Sequence, residues 1–167
     1  LHLPQKINTK IMSIGILGGG VWGSALARVL SKNKVIIYAR DKNIVKSINE
    51  HKLNPKLKYS SFNDNVSATD EIHNLQNVEF LFVALPAQNI REVLEKSELN
   101  NKNQHVVICS KGIEISSSKF LTEVIKDILP SKSISILSGP SFSNEVSQNL
   151  PTAITLATNN KKNFESI

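Results

Sequence analysis

The 167-residue chain contains one cysteine, one tryptophan and one methionine, and only 5 % of its residues are aromatic. The lone Cys109 cannot close an internal disulfide, which argues against a cystine-stapled scaffold and sets the expectation of a reducing cytoplasm. So few aromatics leave few stacking platforms for single-stranded nucleic acid. No apolar run approaches the ~20 residues that a membrane span needs. The opening Leu1-His2-Leu3-Pro4-Gln5-Lys6 has neither the apolar core nor the small-residue cleavage site of a secretory signal. His2, His51, His73 and His105 show no metal-ligand spacing among themselves or with Cys109, so no metal is expected.

What is present suits an ordinary globular domain: 40 % of residues are hydrophobic and 20 % charged. The length holds one domain and not comfortably two. The net charge of +6 comes from 20 Lys+Arg against 14 Asp+Glu. The basic residues are scattered, and their densest group, Lys52, Lys56 and Lys58, falls in a loop-like stretch with only Tyr59 nearby. That pattern predicts a small anionic ligand and not a nucleic-acid polymer.

Short apolar runs alternate with amphipathic stretches from residue 12 onward, which leaves 1–11 as an N-terminal extension and 12–167 as the domain. Strands are predicted at 12–17, 34–39, 66–69, 78–85, 105–110, 134–137 and 152–157. Helices are predicted at 21–32, after Asp41 as a cap, briefly after Asp70, around Ile90 to Leu94, at 116–129 and at 142–148, with one more near the end of the chain. Residues 53–65 are polar, contain Asn54-Pro55, and read as a loop. Continuous apolar strands separated by helices cannot pair as hairpins. They call for an α/β fold: a doubly wound, mostly parallel, Rossmann-like sheet with both faces covered.

In such sheets ligands gather at the carboxyl ends of the strands. After the first strand stands Gly18-Gly19-Gly20-Val21-Trp22-Gly23, a G-x-G-x-x-G match between strand and helix, as a dinucleotide fingerprint requires. Gly18 makes the tight turn, Gly20 lets backbone approach a pyrophosphate, and Gly23 lets the helix pack on the strand. A phosphate-binding P-loop is excluded because Ser24 stands where its lysine must be. Gly139-Pro140-Ser141-Phe142-Ser143 opens like a nucleophile elbow but lacks the closing glycine. At the second strand end the chain has Arg40 then Asp41. A guanidinium there suits the 2′-phosphate of NADP better than the ribose of NAD, although either cofactor is compatible with the pair. Lys111, at another strand end, is either a substrate-holding cation or a solvated turn residue. Trp22 either shields a cofactor or packs a helix start, and Cys109 is expected to be a buried, inert core residue.

Several of these segments occur in one family. Residues 16–27 around the glycine turn, Val83-Ala84-Leu85-Pro86-Ala87-Gln88, Ser110-Lys111-Gly112-Ile113-Glu114, Leu137-Ser138-Gly139-Pro140-Ser141-Phe142 and Pro151-Thr152-Ala153 together resemble the bacterial type of NAD(P)-dependent glycerol-3-phosphate dehydrogenase. The family reduces dihydroxyacetone phosphate to sn-glycerol 3-phosphate, a phospholipid precursor, with NADPH or NADH. The resemblance puts Val21, Trp22 and Arg40 on cofactor positions and Lys111 on a position shared by cofactor and substrate. It puts Gly139 and Ser141 on substrate positions and Ser143 on a further cofactor position. Val21 is often Ser in the family and Ser143 often Ala, and the 54–63 loop lacks the family's Leu-Pro pair.

Family members continue into a helical substrate domain carrying the catalytic lysine. The resemblance therefore implies that this lysine lies beyond Ile167 and that no catalytic residue belongs to these 167 residues. The helical domain is then an expected partner, separately encoded or lost. This leaves two readings: the cofactor-binding front part of a dehydrogenase, inactive alone, or a non-catalytic NAD(P)-binding remnant of it.

Overall fold

The computed structural model describes residues 10–57, 61–131 and 133–158. A seven-stranded sheet carries the chain. Its strands are β1 (Ser13–Leu17), β2 (Lys34–Tyr38), β3 (Val66–Thr69), β4 (Phe80–Val83), β5 (His105–Ile108), β8 (Ser133–Ser138) and β9 (Thr155–Thr158), in the order β3-β2-β1-β4-β5-β8-β9. Between β5 and β8 a two-stranded hairpin, β6 (Ile113–Glu114) and β7 (Lys119–Phe120), stands apart from the main sheet. The first six strands of the sheet run parallel, and β9 pairs antiparallel with β8. The order reverses at β1, whose two neighbours are β2 and β4. That reversal is the switch point where a crevice opens.

Alternation explains why the strands look uniformly apolar. Ile14 and Ile16 of β1 join Ile37, Phe80, Phe82 and Val107 under α1 (Val21–Val29) and α2 (Lys42–His51). Leu17 faces the other way and joins Leu81, Val83 and Ile108 under α3 (Ile90–Glu95) and α4 (Leu121–Ile128). Strands β1, β4 and β5 therefore feed two cores, and a polar side chain in their middle would be costly. The last helix among the described residues, α5 (Ser143–Ser147), packs against α1. No helix among the described residues is long and apolar enough to cross a membrane.

Local chemistry sets the element ends. The Asp41 carboxylate accepts from the Asn43 amide at 2.9 Å and starts α2 as expected. Asp70 does not act as a cap: the brief helix at Ile72–Leu75 is 3₁₀, and the Thr69 hydroxyl accepts from the Glu71 amide at 3.0 Å instead. The predicted helix over 116–129 begins only at Leu121. Three consecutive serines before it favour a turn, Ser118 takes a left-handed φ of 56°, and this lets β6 and β7 pair. The extended segment predicted at 152–157 forms β9. It runs antiparallel because Thr155 starts opposite Ser138, where β8 ends. The helix expected near the chain end, and most of the expected N-terminal extension, lie outside the described residues.

One buried polar cluster sits at the amino ends of the strands. His105 stands opposite Phe80 and Ser133, is 3 % exposed, and meets Ser135 Oγ at 2.8 Å with Nε2 and Ser133 Oγ at 2.9 Å with Nδ1. Burial pushes its pKa below the ordinary 6.5, so the ring stays neutral in the fold. Below 6.5 the unfolded chain takes up a proton that the folded chain resists, so this group's contribution to stability falls as pH falls. The melting temperature should therefore drop between about pH 7.5 and 5, and His105→Gln, polar but not titrating, should flatten that slope. Equal slopes for the two proteins in a calorimetric pH series would refute the assignment.

Candidate functional site

The parallel register delivers several strand ends to one edge. Leu17 stands opposite Tyr38 and Val83, and Val83 opposite Ile108, so Gly18, Ala39, Ala84 and Cys109 emerge side by side. The glycine turn is built at this edge by close contacts. Gly18 has φ 132°, and its amide donates to the Tyr38 carbonyl at 3.1 Å. A Cβ on Gly23 would lie 2.0 Å from the Gly18 carbonyl oxygen, and one on Gly19 would lie 2.5 Å from the Ala39 Cβ. A Cβ on Gly20 would meet nothing within 4 Å. Gly18, Gly19 and Gly23 are thus required by the protein's own packing, whereas Gly20 borders open space. Helix α1 starts there with no side-chain cap, and its first amides and positive dipole end face the same space.

Two clefts meet at Gly20. One, of ≈ 360 Å³, is lined by the glycine turn, Tyr38, Arg40, Lys56 and the end of β4. The other, of ≈ 420 Å³, is lined by Val21, Trp22, Lys111, Gly139, Ser141 and Ser143, with Cys109 and Ser110 behind them. Gly20 and the Ala84-Leu85-Pro86 strand end belong to both. The residues singled out in the sequence are therefore brought together in two groups, with Gly23 beneath the turn as the packing residue. Arg40 is exposed and Asp41 is committed to capping α2.

The second cleft is held by specific bonds. Trp22 Nε1 donates to the Cys109 carbonyl at 3.2 Å, tying the first turn of α1 to the end of β5. Burial pushes the Cys109 thiol up to about 12, which keeps it neutral and unreactive. Lys111 follows Ser110, whose hydroxyl reaches the Leu85 carbonyl at 2.6 Å and the Val83 carbonyl at 3.1 Å. Beyond Lys111 the hairpin is staked down by contacts that the sequence motifs do not reveal. Gln88 donates to the Ile113 carbonyl at 2.8 Å and accepts from the Ile115 amide at 2.9 Å. Arg91 grips the buried Glu114 carboxylate with Nε at 2.9 and 3.1 Å and Nη2 at 2.9 Å, and Ser117 also donates to it. That grip, Arg91 first and Ser117 second, holds the Glu114 carboxyl below the usual range. Gly139 has its own structural reason, since a Cβ there would lie 2.5 Å from the Ala153 carbonyl oxygen.

The buried Asn54 is another residue that sequence reading passes over, because it lies in the loop after α2. Its Nδ2 donates to the Gly19 carbonyl at 3.1 Å and to Ser24 Oγ at 2.6 Å. The only available signal was the Asn54-Pro55 turn beside a local excess of lysine.

A family described as NAD-dependent glycerol-3-phosphate dehydrogenase N-terminus matches residues 13–164. The chain belongs to that family. The glycerol-3-phosphate dehydrogenase [NAD(P)+] of Neorickettsia sennetsu is 38 % identical over 161 residues, covering 94 % of this chain and 48 % of that protein. The enzyme of the same name from Zymomonas mobilis is 41 % identical over 150 residues, covering 89 % and 44 %. A crystal structure of glycerol-3-phosphate dehydrogenase from Coxiella burnetii superposes with a TM-score of 0.85 at 30 % identity, covering 93 % of this chain and 49 % of that one. The chain thus spans about half the length of the relatives it matches, and it is the N-terminal half. This is the family's NAD-binding N-terminal domain, an α/β fold with a mostly parallel sheet.

The glycine contacts make a stability prediction. Gly23→Ala gains about 1 kcal/mol of helix propensity, but its new Cβ clashes with backbone that cannot move away. The clash should win, with a net loss of at least about 2 kcal/mol. Gly20→Ala meets no clash and should cost only the N-cap preference of glycine over alanine, about 1 kcal/mol or less. Urea unfolding of both variants checks this, and equal midpoints would contradict the packing argument.

Proposed function

We propose that this chain holds NADP(H) or NAD(H) across the two clefts, with NADP(H) preferred, as the cofactor half of a cytoplasmic enzyme. That enzyme reduces dihydroxyacetone phosphate to sn-glycerol 3-phosphate for phospholipid synthesis. The observation that carries this reading is the pair of clefts meeting at Gly20, the one glycine of the turn whose missing side chain leaves space instead of relieving a contact. A pyrophosphate there would lie at the amide-rich start of α1, with the adenosine towards Arg40 and the nicotinamide towards Trp22.

When bound, the nicotinamide would supply or accept a hydride. The chain's own residues bind the cofactor, orient it and exclude water. Gly18, Gly20, Val21 and Gly23 shape and present the amide cradle. Arg40 pairs with the 2′-phosphate, and the neighbouring Asp41 turns one carboxylate oxygen to the Asn43 amide at the start of α2. Trp22, fixed to the Cys109 carbonyl, keeps water from the reacting face, and Ser143 borders the same face. Lys111 would hold negative charge growing on the substrate oxygen, with Gly139 and Ser141 completing the substrate wall.

Among the described residues lining this cleft, the ionisable groups are Lys111 and Cys109, and the thiol is held neutral. One lysine cannot both grip the substrate phosphate and exchange the proton at the reacting oxygen, so further groups are expected from the half that the longer relatives possess, on the same chain or on a separate helical domain. The same observation favours, as a second reading, a non-catalytic NAD(P)-binding remnant.

Two measurements test the proposal. Gly20→Val should keep the fold and abolish cofactor binding, while Arg40→Ala should weaken NADPH by about 1.5–3 kcal/mol and leave NADH nearly unchanged. Calorimetric titrations read both effects, and an unchanged NADPH affinity in Gly20→Val would remove the cradle from this site. Tested alone, the 167-residue chain should not consume NADPH in the presence of dihydroxyacetone phosphate. Added helical domain from a relative should restore turnover that Lys111→Met then lowers more than it lowers cofactor affinity. Ready turnover by the chain alone would overturn the division of labour.

A further inference from the structure

The adenosine-side cleft contains a second cation that the glycine fingerprint and the strand-end rule do not pick out. Lys56 lines it together with Arg40, although the two come from different elements, the loop after α2 and the end of β2. Its position is built rather than incidental. The loop leaves α2 through Lys52 in a left-handed conformation, and the Leu57 amide closes a turn onto the Asn54 carbonyl at 2.9 Å. Asn54, 2 % exposed, uses its amide to hold Gly19 and Ser24 and its Oδ1 to accept from the Lys56 amide at 2.9 Å. One buried side chain thus sets the glycine turn and the Lys56 backbone in fixed relation.

The charges around this point are unbalanced. Among the described residues neither the Lys56 ammonium nor the Arg40 guanidinium has an ion pair or hydrogen bond. The nearby carboxylates are engaged elsewhere: Asp41 caps α2, and Glu92, whose charge reaches Arg40, is bonded to Lys96 at 2.7 Å. Asp41 also lines the cleft, but two cations against its single charge leave a positive surplus, which favours an anion such as a phosphate monoester, carrying about −1.5 to −2 at neutral pH. A pyrophosphate sits on backbone amides that NADH and NADPH use alike, so the surplus cation has its purpose where the two cofactors differ.

We infer that Lys56 is a second reader of the adenosine 2′-phosphate, clamping it with Arg40 and seated by Asn54. This rests on reading the clefts as a dinucleotide site and adds a specificity determinant to it. The 167-residue chain should be titrated calorimetrically with NADPH and NADH, and in parallel with adenosine 2′,5′-diphosphate and 5′-AMP. Lys56→Met should weaken NADPH and adenosine 2′,5′-diphosphate about ten-fold or more and leave NADH and 5′-AMP within about two-fold, while Lys56→Arg keeps the preference. The preference of the parent chain should also shrink as salt rises. An equal loss for NADPH and NADH would put Lys56 on the pyrophosphate and overturn the inference while leaving the dinucleotide reading intact, and no loss for either would do the same. A folded parent chain that binds neither cofactor would overturn both.

Discussion

The contact of the Gly18 carbonyl with the first turn of α1 is the constraint on which the ligand edge depends. There is no room for even one carbon between that oxygen and Gly23, so the strand, the turn and the helix form a single rigid corner. From that corner the parallel register does the remaining geometry. It sets the ends of β2, β4 and β5 beside the turn, and each of them contributes its next residues to one or the other cleft. A cavity-lining side chain can be exchanged with local consequences. The backbone of the corner cannot move without shifting the start of α1, the Trp22 bond to Cys109 and the Asn54 bond to Gly19 together.

The architecture is legible in the sequence wherever burial is two-sided. Strands β1, β4 and β5 carry apolar residues on both faces because both faces are covered, and such runs read directly as buried strands. The glycine turn is legible for the same kind of reason, since its three packing glycines each answer a steric demand. What is not legible depends on partners distant in the chain. Glu114 stands in a sequence motif without a role of its own until Arg91, 23 positions away, closes on it, and its hairpin overlaps the start of a stretch whose apolar spacing suits a helix. Asn54 looks like a loop residue because its two donor bonds are to Gly19 and Ser24, more than one supersecondary unit earlier. The direction of β9 is equally a tertiary matter, fixed by where β8 happens to end.

The site reading divides along the same line. Arg40, Trp22 and Lys111 can be named from sequence because the strand-end rule identifies positions shortly past a strand. Lys56 belongs to no strand end, and only the fold brings it to the cleft. The rule finds what the sheet presents and overlooks what a loop folds back to present. In this domain the loop is anchored by a buried amide, so its contribution is as well positioned as any from the sheet.

The His105 cluster has a consequence for how the domain would answer its surroundings. It sits at the amino ends of the strands, and the clefts open at the carboxyl ends, the full length of the sheet away. Acid acting through His105 weakens the fold from the first edge, at a group that does not line the second. A molecule bound at the second edge shifts the same folding equilibrium by mass action, in proportion to the logarithm of its concentration over its dissociation constant. The two edges are therefore thermodynamically linked with no chain of contacts between them. A well-supplied pool of ligand would extend the folded domain's range into lower pH, and a depleted pool would let mild acidity withdraw it.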